Sequence, residues 1–502
     1  MRPVQRRAIG ILFASFIAAL FVYFGELRDA HAVPSFARKY QTSCLTCHTV
    51  YPALNPFGEA FRRNGYRFPN QSGSVDSDAV KSPMIPLGQE EYKKSFPDSV
   101  WPSQIPEAAP FSVMFNGAIN VNFPNSDAHD AAGNTFNWGG LVGELHLFGA
   151  GSFSDTVTYF TQLTFSTDPA ATVDIETAYL LWNDVVGPSH AVNLWVGRLF
   201  APQLSSFALH SSYLSDTRAA PISVVGLYNG SGSFALGQGH TDGAEANGIL
   251  MHRIGWSLGW VASSNASGLN APNAEDVYAH IGVKSGGVAL DGEGKYGPNV
   301  PDPAKPWAEK AITVDAFAYH GLNVLDNGTG TATGASISPI AQRDRVDAIG
   351  TSIRAQYDSL TLDSGFQFER HARPYAGTPA TALPAGGALP GVPDYTDAKA
   401  IVQWNELSYV VFPWLVPAVR TEYTRATYES SNPVSLLRVI PGVAMLVRPN
   451  IRVILATDIE RAYGVPVAGS WGAAGGAIVA PGAGQSSNFE AEQITATVSA
   501  AF

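Results

Sequence analysis

The sequence predicts an all-β fold: a transmembrane antiparallel β-barrel of about 16 strands, with a short, mostly irregular and helical N-terminal segment enclosed by its lumen. Three observations lead there. Charged residues make up only 15% of the 502 positions, against about 25% in ordinary soluble domains, and the mean hydropathy is +0.02. Only one apolar run approaches the roughly 20 residues that a membrane helix needs, so a helical bundle is excluded. From residue 111 to the end, apolar and polar residues alternate with a period of 2 in segment after segment. Hydrophobic residues at 45% rule out a disordered chain.

The first element is an export signal. Arg2, Arg6 and Arg7 precede an uncharged apolar run from Ala8 to Phe24, and Ala30-His31-Ala32 has the small-x-small form of a cleavage site. Residues 1–32 therefore read as a signal peptide cleaved after Ala32. The competing reading is an uncleaved anchor, for which the run is slightly short. Removal takes four Arg, Glu26 and Asp29 and leaves 27 basic and 40 acidic residues, a formal charge of −13.

Next comes Cys44-Leu45-Thr46-Cys47-His48, the C-x-x-C-H signature for covalent attachment of c-type haem. Two thiols add across the two vinyl groups of the porphyrin, and the adjacent His lies on one face as an axial ligand. A thioredoxin-like site would want a βαβ pattern nearby, and structural zinc would want two more ligands at short spacing. Neither is present, and the chain has no other cysteine. The segment 33–68 is read as the haem-bearing unit, with a short helix over Glu59–Arg63 closed by Gly65 and with Pro52 and Pro56 stiffening the chain behind the motif. Its 36 residues are too few to cover a core unaided, so something else must enclose it.

Residues 69–110, with Pro97, Pro102, Pro106 and Pro110, read as a linker or plug. Residues 111–502 read as the barrel. Candidate strands fall at 111–123, 138–150, 155–167, 172–183, 190–200, 242–253, 255–264 and 275–287, then at 310–321, 343–357, 359–371, 398–410, 415–428, 434–447, 450–463 and 489–502. Connections after even-numbered strands are short except near 288–309, while five of those after odd-numbered strands are long, as expected with a periplasmic N-terminus. The Gly-rich stretches 386–391 and 469–484 read as flexible loops. The last strand alternates and stops on Phe502, resembling the insertion signal of bacterial outer-membrane barrels.

With apolar residues toward lipid, the lumen receives Met114, Asn116, Asn120, Glu144, His146, Asp174, Glu176, Gln367, Glu369, Arg420, Glu422, Arg452, Asp458 and Glu460. A thioether can be the second axial ligand of a c-type haem, which makes Met114 the candidate distal ligand. Met84 in the linker is its main competitor, and His146 or His280 comes next. No catalytic triad, phosphate-binding loop or nucleic-acid patch is found.

The combination resembles the fused monohaem cytochrome–porins of bacterial outer membranes, which include extracellular ferrous-iron oxidases. The residues that carry the resemblance are Pro34-Ser-Phe-Ala-Arg38, Ser43-Cys-Leu-Thr-Cys-His48, Pro52-Ala-Leu-Asn-Pro-Phe-Gly58 and Asn64-Gly-Tyr66. Beyond these, only architecture and Phe502 correspond. The resemblance implies one haem c held by Cys44 and Cys47 with His48 as axial ligand, an outer-membrane location, and electron transfer from extracellular Fe(II) to a periplasmic c-type cytochrome, an iron:cytochrome oxidoreductase. A conduit for another extracellular donor or acceptor, or a diffusion porin with a haem plug, are the other readings.

Overall fold

The computed structural model describes residues 36, 46–50, 53–67, 111–123, 136–137, 143–154, 156–166, 172–187, 190–199, 213–214, 241–262, 276–292, 305–324, 343–372, 398–428, 431–448, 451–463, 470–473, 476–479 and 489–501. The predicted signal peptide and linker, Cys44, Met84 and Phe502 lie outside these. Sixteen strands form the wall. They are β1 (Phe111–Asn122), β2 (Glu144–Ser152), β3 (Val157–Ser166), β4 (Thr172–Trp182), β5 (Asn193–Leu199), β6 (Thr241–Leu250), β7 (Ile254–Val261) and β8 (Asp276–Gly286) in the first half. The second half holds β9 (Glu309–Val324), β10 (Arg343–Asp358), β11 (Leu360–His371), β12 (Ala398–Tyr409), β13 (Leu415–Tyr428), β14 (Ser431–Arg448), β15 (Ile451–Tyr463) and β16 (Phe489–Ala501). Each pairs antiparallel with its neighbour in sequence, and β1 pairs with β16 from Met114↔Ala501 to Asn122↔Gln493, which closes the barrel.

Every span expected from alternation meets one of these strands, because a wall with one lipid-facing and one lumenal side imposes period 2. In β8, Val277, Ile281 and Val283 are exposed outward, while Asp276, Tyr278, His280 and Lys284 are buried inward. The same division makes a charge on the outer face expensive. Ile281→Arg, in the middle of β8, is expected to destabilise the barrel by about 2–4 kcal/mol, read as a lower urea midpoint for unfolding from lipid vesicles.

Some boundaries differ from the expectation. Of the span 138–150, the described part opens as strand at Glu144, with Gly143 already outside it, a glycine having no side chain to pack in a ladder. The span 242–253 stops at Leu250, where Met251 (φ 51°) and His252 (φ 61°) make a tight turn closed by the Arg253 N–H on the Leu250 carbonyl at 3.1 Å. The stretch 469–484 is not wholly a loop: Ser470–Ala473 and Gly476–Val479 pair as a hairpin. A two-residue piece, Phe136–Asn137, also pairs with β1. The connections confirm the two unlike ends. The turn end has links as short as the single residue 359 and one long exception, 287–308, while the loop end includes 200–240 and 372–397.

Inside, register and missing side chains work together. Trp195, Glu245, Gly259, Tyr278, Tyr319, Ala348 and Glu369 are successive cross-strand partners around the lumen from β5 to β11. A Cβ at Gly259 would stand 2.0 Å from the Tyr278 ring. The glycine therefore lets Tyr278 lie across β7 and donate its hydroxyl hydrogen to Glu245 on β6.

Candidate functional site

The N-terminal segment folds as one turn and one helix. Helix α1 spans Pro56–Arg63, starting three residues before the expected Glu59. Asn55 caps it, its side chain accepting the Gly58 N–H at 2.9 Å, and Pro56 occupies the first turn, where its lack of an N–H costs nothing. Gly65, at φ 68°, follows the end of the helix as expected. The Asn55 N–H also donates to the Cys47 carbonyl at 2.9 Å, and the Asn55 amide donates to the Thr46 carbonyl at 3.0 Å. These bonds fasten the Cys47-His48 turn to the helix start. The seat is close: a Cβ at Gly58 would come within 2.1 Å of the Cys47 oxygen.

The segment packs against lumenal side chains of the wall. Val50 and Ala53 join a buried cluster with Val416, Ala418, Ile440 and Ala444 of β13 and β14, and with Tyr213 and Leu214 from the β5–β6 connection. Phe57 packs with Cys47 against Val288, just past β8. Tyr66 stacks on Phe160 of β3 with ring centroids 5.2 Å apart, and its hydroxyl lies 3.1 Å from that of Tyr179 on β4. Burial raises the Tyr66 hydroxyl above its ordinary pKa, with the Tyr179 hydrogen bond opposing, so it remains a neutral phenol at physiological pH.

Two clasps hold the segment at the turn end. Asn64 donates to the backbone carbonyl of Asp291 at 2.9 Å, and the carboxylate of Asp291 meets His252 at 2.5 Å. Arg67 donates to Asp184 at 2.8 Å, and Asp184 also accepts the His190 backbone N–H at 2.8 Å. Burial would raise the Asp184 carboxyl, but His190 and Arg67 together hold it well below the usual carboxylate range. Because the folded value lies below the unfolded one, the clasp contributes fully above about pH 4 and is lost as pH falls toward the lowered value. Limited proteolysis of residues 46–67 is therefore expected to stay flat from neutral pH to about pH 4 and to rise below it. Asp184→Asn should raise it at neutral pH.

Of the residues singled out from sequence, Cys47 and His48 lie in the seated turn, and His48 bridges to Leu54. Met114 is buried on the lumenal face of β1, where its direct cross-strand partner on β2 is His146. Both thus face the lumen from the β1–β2 side, whereas Cys47 packs beyond the end of β8. His146 is engaged already: its Nδ1 lies 2.7 Å from Thr164 and its Nε2 3.2 Å from both Asn116 and Glu144. His280 meets Asp315 at 3.0 Å. Gln367, Glu369, Arg420, Glu422, Arg452 and Glu460 are buried as lumenal residues, and Arg438 joins Asp458 and Glu422 in an ion-pair ladder. The inward reach of Tyr213 and Leu214 had no periodic signal, being inside a long connection.

The sheet closure and its two unlike faces define the class: a sixteen-stranded antiparallel barrel of the outer-membrane type, with a folded segment in its lumen. No protein-family model matches the chain, and no curated protein does. Among solved structures, the chain is similar to an anion-selective porin from Comamonas acidovorans, at 13% identity and TM-score 0.47, over 78% of this chain and 98% of that one. It is likewise similar to OmpT, an outer membrane protein of Vibrio cholerae, at 10% identity and TM-score 0.44 over 78% and 98%. A third is the outer membrane channel DcaP of Acinetobacter baumannii, at 10% identity and TM-score 0.42 over 78% and 96%.

Proposed function

We propose that this chain is an outer-membrane electron-transfer protein that oxidises extracellular Fe(II) and delivers the electrons to a periplasmic c-type cytochrome through one haem c. The observation that carries this reading is the position of Cys47 and His48. They carry the C-x-x-C-H pattern, and the segment that holds them packs through Val50 and Ala53 against lumenal residues of the wall. An outer-membrane location is supported by the apolar outer face and the polar lumen.

The residues present suit the group. Cys47 and His48 supply a thiol and an imidazole, Phe57 and Val288 supply apolar walls beside the thiol, and Arg63 supplies a cation in the last turn of the helix that carries Phe57. A haem c held there would supply a one-electron couple whose potential the axial ligands and burial set. The protein's own part is to fix the motif by the Asn55 bonds, to pack the segment against β3, β4, β13 and β14, and to fasten it at the turn end with the Asn64 and Arg67 clasps. Ferrous iron is the substrate, attracted by an acidic chain.

Purified, oxidised protein in detergent is expected to show a reduced haem band on addition of Fe(II). A band that dithionite produces and Fe(II) does not would remove the iron assignment and leave a conduit for another donor. Bulk solute flux through liposomes carrying the intact protein would instead favour a diffusion porin.

A further inference from the structure

We propose that Tyr213, carried into the lumen by the β5–β6 connection, is a positioning residue for His48 and grips the motif turn through Thr49. The proposal rests on the haem reading, since it is as an axial ligand that His48 needs its place fixed. β5 ends and β6 begins at the loop end of the wall. Tyr213 and Leu214, between them in sequence, nevertheless cluster with Val416 near the start of β13 and Ile454 near the start of β15, both at the turn end. Part of an outer connection thus stands beside the segment on the far side of the lumen.

Three contacts fix the pair there. The Tyr213 N–H donates to the Glu406 carboxylate on β12 at 3.0 Å. Leu214 fills a notch in β14, where a Cβ at Gly442 would stand 2.8 Å from its Cδ2. The side chains of Tyr213 and Thr49 share a hydrogen bond, and both residues are buried. Apolar packing alone asks for no hydroxyl. A buried phenol costs free energy unless its oxygen is bonded, and a Phe would fill the same cluster without that requirement. Thr49 follows His48 directly, and its own N–H donates to the Ala53 carbonyl at 3.1 Å, closing the turn. On the other side of His48, the Cys47 carbonyl is held by the Asn55 N–H. His48 therefore lies between one neighbour fastened to the helix start and another fastened to the wall through Tyr213. Groups that fix a ligand from outside set its orientation, and through it the metal bond.

The test reads the turn and the haem separately, in the whole protein in detergent. Backbone hydrogen exchange of residues 46–55 reports on the turn whether or not haem is bound. A neutral hydrogen bond shifts an opening equilibrium roughly two- to tenfold, so Tyr213→Phe and Thr49→Val are each expected to speed that exchange within this range. The double variant should be no faster than either single one, because both remove the same bond. Thr49→Ser keeps the hydroxyl and should restore most of the protection, while Tyr357→Phe, on the exposed outer face, should change nothing. In the haem spectrum, both disruptive variants are expected to raise the high-spin fraction, because a displaced His48 weakens the ligand field, and Thr49→Ser to bring it back. Unchanged exchange in Tyr213→Phe, with a barrel of normal heat-modifiable migration, overturns the proposal. Faster exchange with an unaltered haem spectrum overturns it too, leaving Tyr213 a structural prop. Wild type without covalent haem overturns the haem reading and the role toward His48 together, and a haem stain separates that outcome from the other two.

Discussion

On the proposed haem attachment, Cys47→Ala is expected to yield a barrel that inserts and keeps its heat-modifiable migration, yet carries less than about a tenth of the covalent haem that the unaltered chain would hold. The expectation follows from where Cys47 lies. Its side chain packs only against Phe57 and Val288 in its cluster, a small apolar contact, so losing the sulfur costs about 1 kcal/mol of packing. Wall closure depends on the β1–β16 ladder and involves no residue of the segment. Attachment, by contrast, needs both thiols of the motif. A peroxidase stain on a denaturing gel, run beside heated and unheated barrel, reads the two quantities separately. Full haem stain in this variant would remove Cys47 from the attachment.

Gly58→Ala should be nearly as damaging by a different route. The new methyl carbon would overlap the Cys47 carbonyl at 2.1 Å and approach the Leu54 side chain at 2.9 Å. The first atom struck is backbone, and it is already bonded to the Asn55 N–H. The helix start and the Cys47-His48 turn must then separate, at a cost near the upper end of the roughly 1–3 kcal/mol typical of overpacking. The expected outcome is a normal wall with an unseated segment: rapid cleavage of residues 46–67 by added protease, and new solute flux through liposomes. Wild-type resistance in both assays would mean that the seat yields more easily than its geometry implies.

Much of the wall was legible because two solvents grip it from opposite sides. Lipid and lumen impose an alternation that survives in nearly every strand, so even β14, with its prolines at 433 and 441, could be placed. What period 2 cannot foresee is a change of phase. In β4, Gln162 pairs with Thr177 and Leu163 with Ile175, so Glu176 is an extra residue. Glu176 faces the lumen beside Gln162, and past it Thr177, Tyr179 and Leu181 turn inward. The helix start was written in Asn55-Pro56, a cap followed by a first-turn proline, but the proline reads equally as a stiffener until the Gly58 bond is seen. The motif residues were visible from spacing alone. The face of Met114 was correctly expected from alternation, whereas its pairing with His146 depends on the register between β1 and β2, and no local pattern carries register.

The seat of the segment has a consequence for how the molecule is made. Its contacts are drawn from β3 and β4 early in the chain and from β13 and β14 late in it, more than 230 residues apart. The whole of that surface exists only once the late strands stand beside the early ones. The segment precedes every strand of the wall in the chain, yet its docking place is finished almost last. Occupancy of the seat is therefore a record of completed assembly: a chain lacking β13 and β14 would leave the turn at Cys47 and His48 without the wall that covers it.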